Sequence, residues 1–144
     1  MPERERMTDR EYLEMAREAA NHADCLHRKV GAVLVSDGLA RCTGHNHVPR
    51  RTKRCLQCAR TESGKRLHEC NAIHAEEDVI IWAMNRGQPM WGSDLYCTLQ
   101  PCFHCAKLII QAGIRSVIYI ESYPDRRGLE LLEEAGIPVK QVVI

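Results

Sequence analysis

Asp94-Leu95-Tyr96-Cys97-Thr98-Leu99, followed by Pro101-Cys102-Phe103-His104-Cys105-Ala106-Lys107-Leu108-Ile109-Ile110-Gln111-Ala112-Gly113 and then Ser116-Val117-Ile118-Tyr119-Ile120, is the stretch that decides the fold. The first and last pieces are short apolar runs of strand length. The middle piece has a proline ahead of it and a glycine after it, which predicts a helix over about 102–112. A helix between two strands carries the chain back to its starting end, so the two strands are expected to be parallel neighbours. Downstream, Gly128 to Ala135 reads as a helix stopped by Gly136, and Val139 to Ile144 as a last strand. Upstream, Val30 to Val35 and Leu39 to His45 flank Ser36-Asp37-Gly38, the pattern of a hairpin. Thr8-Asp9-Arg10-Glu11 fits a capping box opening a helix over about 9–22, and a further helix is expected at about 74–86. The expected architecture is α/β, a five-stranded mixed sheet with an antiparallel opening hairpin and parallel last strands. The 144 residues suit one domain.

The helix starts at 74 and 102 carry the chemistry. Cys102 and Cys105 are three apart and share a helix face, at an N-terminus whose partial positive charge favours thiolates. His74-Ala75-Glu76 opens the other helix. His74, Cys102 and Cys105 are three ligands for one zinc ion, which leaves a fourth position for water, the mark of a catalytic site. Glu76 is two residues from His74, points elsewhere and is free to shuttle protons as a general acid and base. His-x-Glu followed by Pro-Cys-x-x-Cys is the signature of zinc deaminases. Either half alone is weak, since a lone Cys-x-x-Cys is also redox or structural; a closed structural site would need a fourth protein ligand.

Composition narrows the partners. A net charge of +1 is low for a dedicated nucleic-acid binder, so no nucleic acid is expected. No apolar run approaches a membrane span, and Met1 to Arg6 is charged rather than apolar, so a cytoplasmic protein is expected. Eight cysteines clustered with histidines suggest metal binding in a reducing compartment rather than a disulfide framework. Residues 47–70 form a long polar, basic connection, of the kind that is usually functional or anchored. Arg28, Lys29, Arg50, Arg51, Lys53 and Arg54 are cations near this connection, suited to a phosphate or simply to a solvated surface. Tyr123, just past a strand, is placed to close over a bound ring. Cys42 and Cys97 read as core, His104 as exposed, and His22, His27, His45 and His47 lack metal spacing.

Cys25-Leu26-His27-Arg28-Lys29-Val30-Gly31-Ala32, Thr43-Gly44-His45-Asn46, His74-Ala75-Glu76, Leu99-Gln100-Pro101-Cys102-Phe103-His104-Cys105 and the Ala106-Lys107-Leu108-Ile109-Ile110-Gln111-Ala112-Gly113-Ile114 run resemble the deoxycytidylate (dCMP) deaminase family of the cytidine deaminase superfamily. The resemblance covers most of the chain from about Cys25. It implies the cytidine deaminase-like three-layer α/β/α fold and hydrolysis of dCMP to dUMP and ammonia, supplying dUMP for thymidylate synthesis. It further implies a homo-oligomer, often a hexamer, with dCTP and dTTP as effectors and Mg2+ accompanying the dNTP. Carried over by residue, His74, Cys102 and Cys105 hold catalytic zinc, Glu76 shuttles the proton, and Asn46 contacts sugar or base. A second, structural zinc is common in the family; Cys25, Cys55, His68 and Cys70 fit its ligand places, with Cys58 as an alternative to Cys55. The family usually reads Gly-Tyr-Asn-Gly where this chain has Gly44-His45-Asn46-His47. That departure bears on substrate recognition and leaves the chemistry alone. Deaminases of a base, a nucleoside or a tRNA adenosine share the zinc chemistry and differ in pocket walls. A non-enzymatic zinc module is disfavoured by the intact Glu76.

Overall fold

A computed structural model describes residues 6–56 and 70–144. The elements in order are α1 (Asp9–Ala20), β1 (Gly31–Ser36), β2 (Leu39–His45), α2 (Ala75–Asn85), β3 (Asp94–Leu99), α3 (Phe103–Ala112), β4 (Ser116–Glu121), α4 (Arg127–Glu134) and β5 (Val139–Gln141). The strands form one sheet in the order β2-β1-β3-β4-β5. β1 pairs antiparallel with both β2 and β3, while β3–β4 and β4–β5 are parallel. The five-stranded mixed sheet with parallel last strands is therefore as expected. The sequence did not specify that β3 joins the sheet beside β1, with Ala32 opposite Cys97.

The core explains the layers. Along β1, β3 and β4 successive side chains face opposite sides of the sheet. Ala32, Leu34, Leu95, Cys97, Val117 and Tyr119 pack with α2, α3 and α4. Val33, Val35, Tyr96, Ile118 and Ile120 pack with Tyr12, Leu13 and Ala16 of α1. Both faces are covered, so these strands read as continuous apolar runs rather than as an alternation.

Local chemistry sets the element ends. Thr8 Oγ1 accepts the backbone N–H of Glu11 at 3.2 Å, the expected cap of α1. α1 stops at Ala20 rather than His22, because Asn21 and His22 make tighter three-residue bonds to Glu18 and Ala19. Asp37 and Gly38 both have positive φ, 54° and 72°, as a two-residue primed hairpin turn requires. β1 begins at Gly31 rather than Val30, whose N–H is taken by the Asn46 side chain at 2.8 Å. β5 ends at Gln141, and beyond it Val142 and Ile144 still pack against the α1 face of the sheet. Two helices sit unusually close to the sheet. A Cβ on Gly44 would meet the Val79 amide nitrogen of α2 at 2.6 Å, and one on Gly31 would meet the Ala16 carbonyl oxygen of α1 at 1.9 Å. No helix among the described residues is long and apolar enough to cross a membrane.

Candidate active site

The N-cap of α2 is His74 and the N-cap of α3 is Cys102, so the two helices aim their positive ends at the same point. Glu77 accepts the backbone N–H of His74 at 3.0 Å, which caps α2 and leaves the imidazole free for other contacts. Nδ1 of His74 lies 3.3 Å from Cys105 Sγ and 3.5 Å from Cys102 Sγ. These three donor atoms all fall within 4.8 Å of one another, the one such group among the described residues. Two sulfurs and an imidazole nitrogen are a soft, borderline donor set of the kind zinc takes, and the residues present fit that ion. Close contact within the cluster separates the protons. Hydrogen bonding from Cys105, then from His74, draws the Cys102 thiol down to about 4. The Cys102 hydrogen bond in turn lifts His74 to about 9. Negative charge at Cys102 is thus already favoured by the protein framework.

Glu76 lies beside the cluster and is almost fully buried at 4% exposure. Burial raises its carboxyl above the ordinary range, opposed by the positive charge on His74. A carboxyl held near the point of proton exchange in this way suits general acid–base work. Cys97, expected as plain core, is fully buried on β3 and places its thiol against this carboxylate.

The cluster opens into a cleft of about 620 Å³, part of it open to solvent, lined by His74, Glu76 and Cys102 together with Cys25, His27, Arg28, Asn46, Cys70, Leu99, Gln100 and Tyr123. Arg28 reaches the cleft and pairs with Glu121 at 2.5 Å. Asn46 reaches it as well, but its side chain also ties two chain segments together. It accepts from Val30 N–H at 2.8 Å and donates to the Arg28 carbonyl at 2.7 Å. One lone pair and one amide hydrogen remain for another partner. Tyr123 is set by Gln100, whose Oε1 accepts the Tyr123 backbone N–H at 3.1 Å. Lys29 is not among the residues lining this cleft; it borders a separate groove with Glu14, Arg17 and Glu18. His104 is exposed, 3.4 Å from Glu77.

Cys25 and Cys70 also line the cleft, and Cys25 Sγ accepts the Arg28 backbone N–H at 3.5 Å. Cys55 is exposed. His68 and Cys58 lie outside the described residues. Sequence reasoning passed over Gln100 and Asp78. Asp78 carried a legible signal, a carboxylate on the buried stripe of α2; Gln100 carried none beyond its place before Pro101.

Residues 6–121 match the family described as the cytidine and deoxycytidylate deaminase zinc-binding region. The chain belongs to the cytidine and deoxycytidylate deaminase family. Its relatives there include the deoxycytidylate deaminase of Saccharomyces cerevisiae, 36% identical over 92% of this chain and 44% of that protein. The chain thus spans less than half the length of this relative. The deoxycytidylate deaminase of Mycobacterium phage D29 is 35% identical over 77% of this chain and 92% of its own length. The cyanophage S-TIM5 dCMP deaminase, solved with dCMP and dUMP, superposes with a TM-score of 0.81 at 27% identity, covering 92% of this chain and 95% of that one. The three-layer deaminase-like fold of the family follows from this match and the observed layers.

Proposed function

We propose that this chain deaminates dCMP hydrolytically, giving dUMP and ammonia. The observation that carries the reading is a buried carboxyl, Glu76, beside the His74–Cys102–Cys105 cluster in a cleft that also presents Arg28. Deoxycytidylate deaminase relatives, one of them solved with dCMP and dUMP, support the same substrate. Zinc held by His74, Cys102 and Cys105 would supply the Lewis acidity that makes water nucleophilic at neutral pH.

The chain's own residues do the rest. Glu76 takes a proton from the attacking water and delivers it to the ring nitrogen, then moves a second proton to the departing amine, so that water and dCMP become dUMP and ammonia. Its burial keeps bulk water from competing for these protons. The Cys97 thiol, behind it, steadies the carboxylate. Asn46, with one acceptor and one donor position left, is suited to sugar or base, and Tyr123 to the open side of the ring. Arg28 is the cation best placed for the 5′-phosphate, with Glu121 holding its guanidinium in place beforehand. Lys29 faces the neighbouring groove and is a poorer candidate.

The same reading includes a second, structural zinc with Cys25, Cys70 and two of Cys55, Cys58 and His68. The lining of the cleft by Cys25 and Cys70 and the N–H contact to Cys25 Sγ support it. It also includes a homo-oligomer, up to a hexamer, and dCTP and dTTP as effectors with Mg2+, supported by the family resemblance, and a cytoplasmic location, supported by cysteines that cluster with histidines as metal ligands do in a reducing compartment. The near-neutral charge favours a single nucleotide over a polymer.

The test compares kcat/KM for dCMP and deoxycytidine, with and without dCTP. The ring is the same in both, so preference comes from the phosphate. A charged hydrogen bond is worth roughly 1.5–3 kcal/mol, so two or three phosphate contacts give dCMP an advantage on the order of a hundredfold or more. Equal values would overturn the nucleotide reading, and activity on a tRNA anticodon arm alone would replace it.

A further inference from the structure

The two histidines that stand where the family usually has tyrosine and glycine converge on one carboxylate. Asp78, in the first turn of α2, is buried at 5% exposure. Its Oδ2 accepts the His45 backbone N–H at 3.1 Å, and its Oδ1 lies 2.8 Å from His47 Nε2. The other ring nitrogen of His47, Nδ1, lies 2.7 Å from the Val48 carbonyl oxygen. A carbonyl oxygen only accepts, so Nδ1 carries a proton; an ionised Asp78 also only accepts, so Nε2 carries one too. When both nitrogens donate, the ring is an imidazolium and the contact to Asp78 is an ion pair.

The backbone of His47 is held independently. Its N–H donates to the Ile73 carbonyl at 3.2 Å, and Ile73 N–H donates back at 2.7 Å, an isolated antiparallel bridge. The chain leaves this point at Val48 and comes back to it at Ala72, and the next residue after Ile73 is His74. On the other side, Asn46 lines the cleft, as does Cys70 near the end of the connection. The His47 side chain is therefore the cross-tie between the root of this connection and the helix that bears His74 and Glu76.

We propose that His47 and Asp78 form a positioning ion pair that clamps the root of the 48–72 connection to α2 and thereby holds the Asn46 and Cys70 walls of the cleft in their substrate-binding arrangement. The clamp itself is independent of which nucleotide binds; its effect on turnover rests on the dCMP reading above. Among the described residues, the groups facing His47 are Asp78 from α2, the His45 ring at 5.0 Å from β2, and Asp24 from the segment after α1, which is itself paired with Arg54 at 2.9 Å. His22 stacks behind His45 at 6.1 Å. Burial pulls His47 down, but the bonds to Asp78 and Val48 and the charges of Asp78 and Asp24 outweigh it, leaving a value above the ordinary 6.5. A raised value means that the clamp is complete below 6.5 and is lost as the pH rises through the raised value.

The test uses the zinc-loaded 144-residue chain, wild type and His47→Gln. Gln donates one hydrogen bond to Asp78 and never becomes charged. KM and kcat for dCMP are measured from about pH 5.5 to 9, the span in which a histidine changes charge. The wild-type KM should rise several-fold as His47 loses its proton, with kcat moving less. The KM of His47→Gln should stand about five- to tenfold above the wild-type low-pH value and lose that pH step. A pH profile of KM that is parallel in the two proteins would overturn the proposal. Imidazole NMR of His47 gives a second readout that needs no substrate. An imidazolium at pH 6 whose titration falls to lower pH in Asp78→Asn supports the pair, and a neutral ring or an unmoved titration refutes it. Those spectra also separate a failed clamp from a wrong substrate, and they cover the case in which His47→Gln does not fold.

Discussion

Adding one methyl group at Gly44 should push the helix carrying His74 and Glu76 off its seat. In Gly44→Ala the new Cβ would sit 2.6 Å from the Val79 amide nitrogen, 2.8 Å from the Ala75 carbonyl oxygen and 2.9 Å from the Val79 Cβ. Ordinary contact begins near 3.4 Å, so α2 must retreat from β2 by about 0.6–0.8 Å. The two closest neighbours are backbone atoms in the first turns of the helix, and no side-chain rotation relieves the clash. Overpacking of this kind costs about 1–3 kcal/mol. For a domain of this size that is a fall in Tm of roughly 3–9 °C. The displacement is passed to Glu76, one residue from Ala75, and misplacement on the 1 Å scale costs about a hundredfold in rate. The assay is thermal unfolding and kcat/KM for dCMP on zinc-loaded protein, with Thr43→Ala, on the exposed face of the same strand, as the control. A zinc-loaded Gly44→Ala with wild-type melting and wild-type kcat/KM would refute the claim that close approach of strand and helix sets the site.

Glu76→Gln should keep fold and zinc yet lose about 10²–10⁴-fold or more in kcat, because Gln fills the space without carrying a proton; near-wild-type turnover in metal-loaded protein would remove Glu76 from the proton path. Protein purified without added zinc should hold about two ions per chain, and Cys70→Ser should lower Tm more than kcat, since closed zinc sites contribute folding energy. A stoichiometry near one would eliminate the second site. Asp9 accepts from Tyr96 Oη at 2.6 Å and from Lys140 at 3.1 Å, and the Tyr96 hydrogen bond, then the lysine, hold its carboxyl below 3.8 despite partial burial. A lowered carboxyl contributes stability above pH 3.8 that fades as the pH falls through the lower folded value. Asp9→Asn should therefore cost about 3 °C in Tm at neutral pH, for one hydrogen bond of about 1 kcal/mol, and a smaller difference from wild type in strong acid. An equal gap at both pH values would contradict it.

Much of this was written in the sequence because the signals are local. Thr8, Asp37-Gly38 and Gly113 each mark a turn or an end through the backbone conformation or hydrogen bond they favour, and β2 and β3 run over the expected residues. The motif His74, Glu76, Cys102 and Cys105 was legible because helix spacing alone puts the donors at two N-termini, and the structure brings the three candidate donor atoms together. What stayed hidden is non-local. The side-by-side placement of β1 and β3 depends on which edges remain free after the hairpin and the parallel unit have formed. Nothing adjacent in sequence encodes it. Lys29 and Arg28 look equivalent as neighbours in the chain, but Arg28 lines both the cleft and the neighbouring groove, whereas Lys29 lines the groove and not the cleft. His47 showed no metal spacing and met a carboxylate instead, a partner thirty-one positions away.

The strand order carries a consequence for how the molecule comes together. The hairpin β1–β2 and the β3–α3–β4–α4–β5 unit are each joined by neighbours in the chain, and among the described residues the pairing of β1 with β3 is the only strand contact between them. α2, with His74, packs on the hairpin, while Cys102 and Cys105 belong to the other half. Closing the long segment between β1 and β3 is the entropically demanding step, because the ordering cost falls before the non-local contacts form. The three side chains of the candidate metal site, His74, Cys102 and Cys105, therefore meet only when the two halves dock. Zinc bound by these three side chains would report the final docking event of folding and act as a rivet across the joint, slowing the halves from parting again.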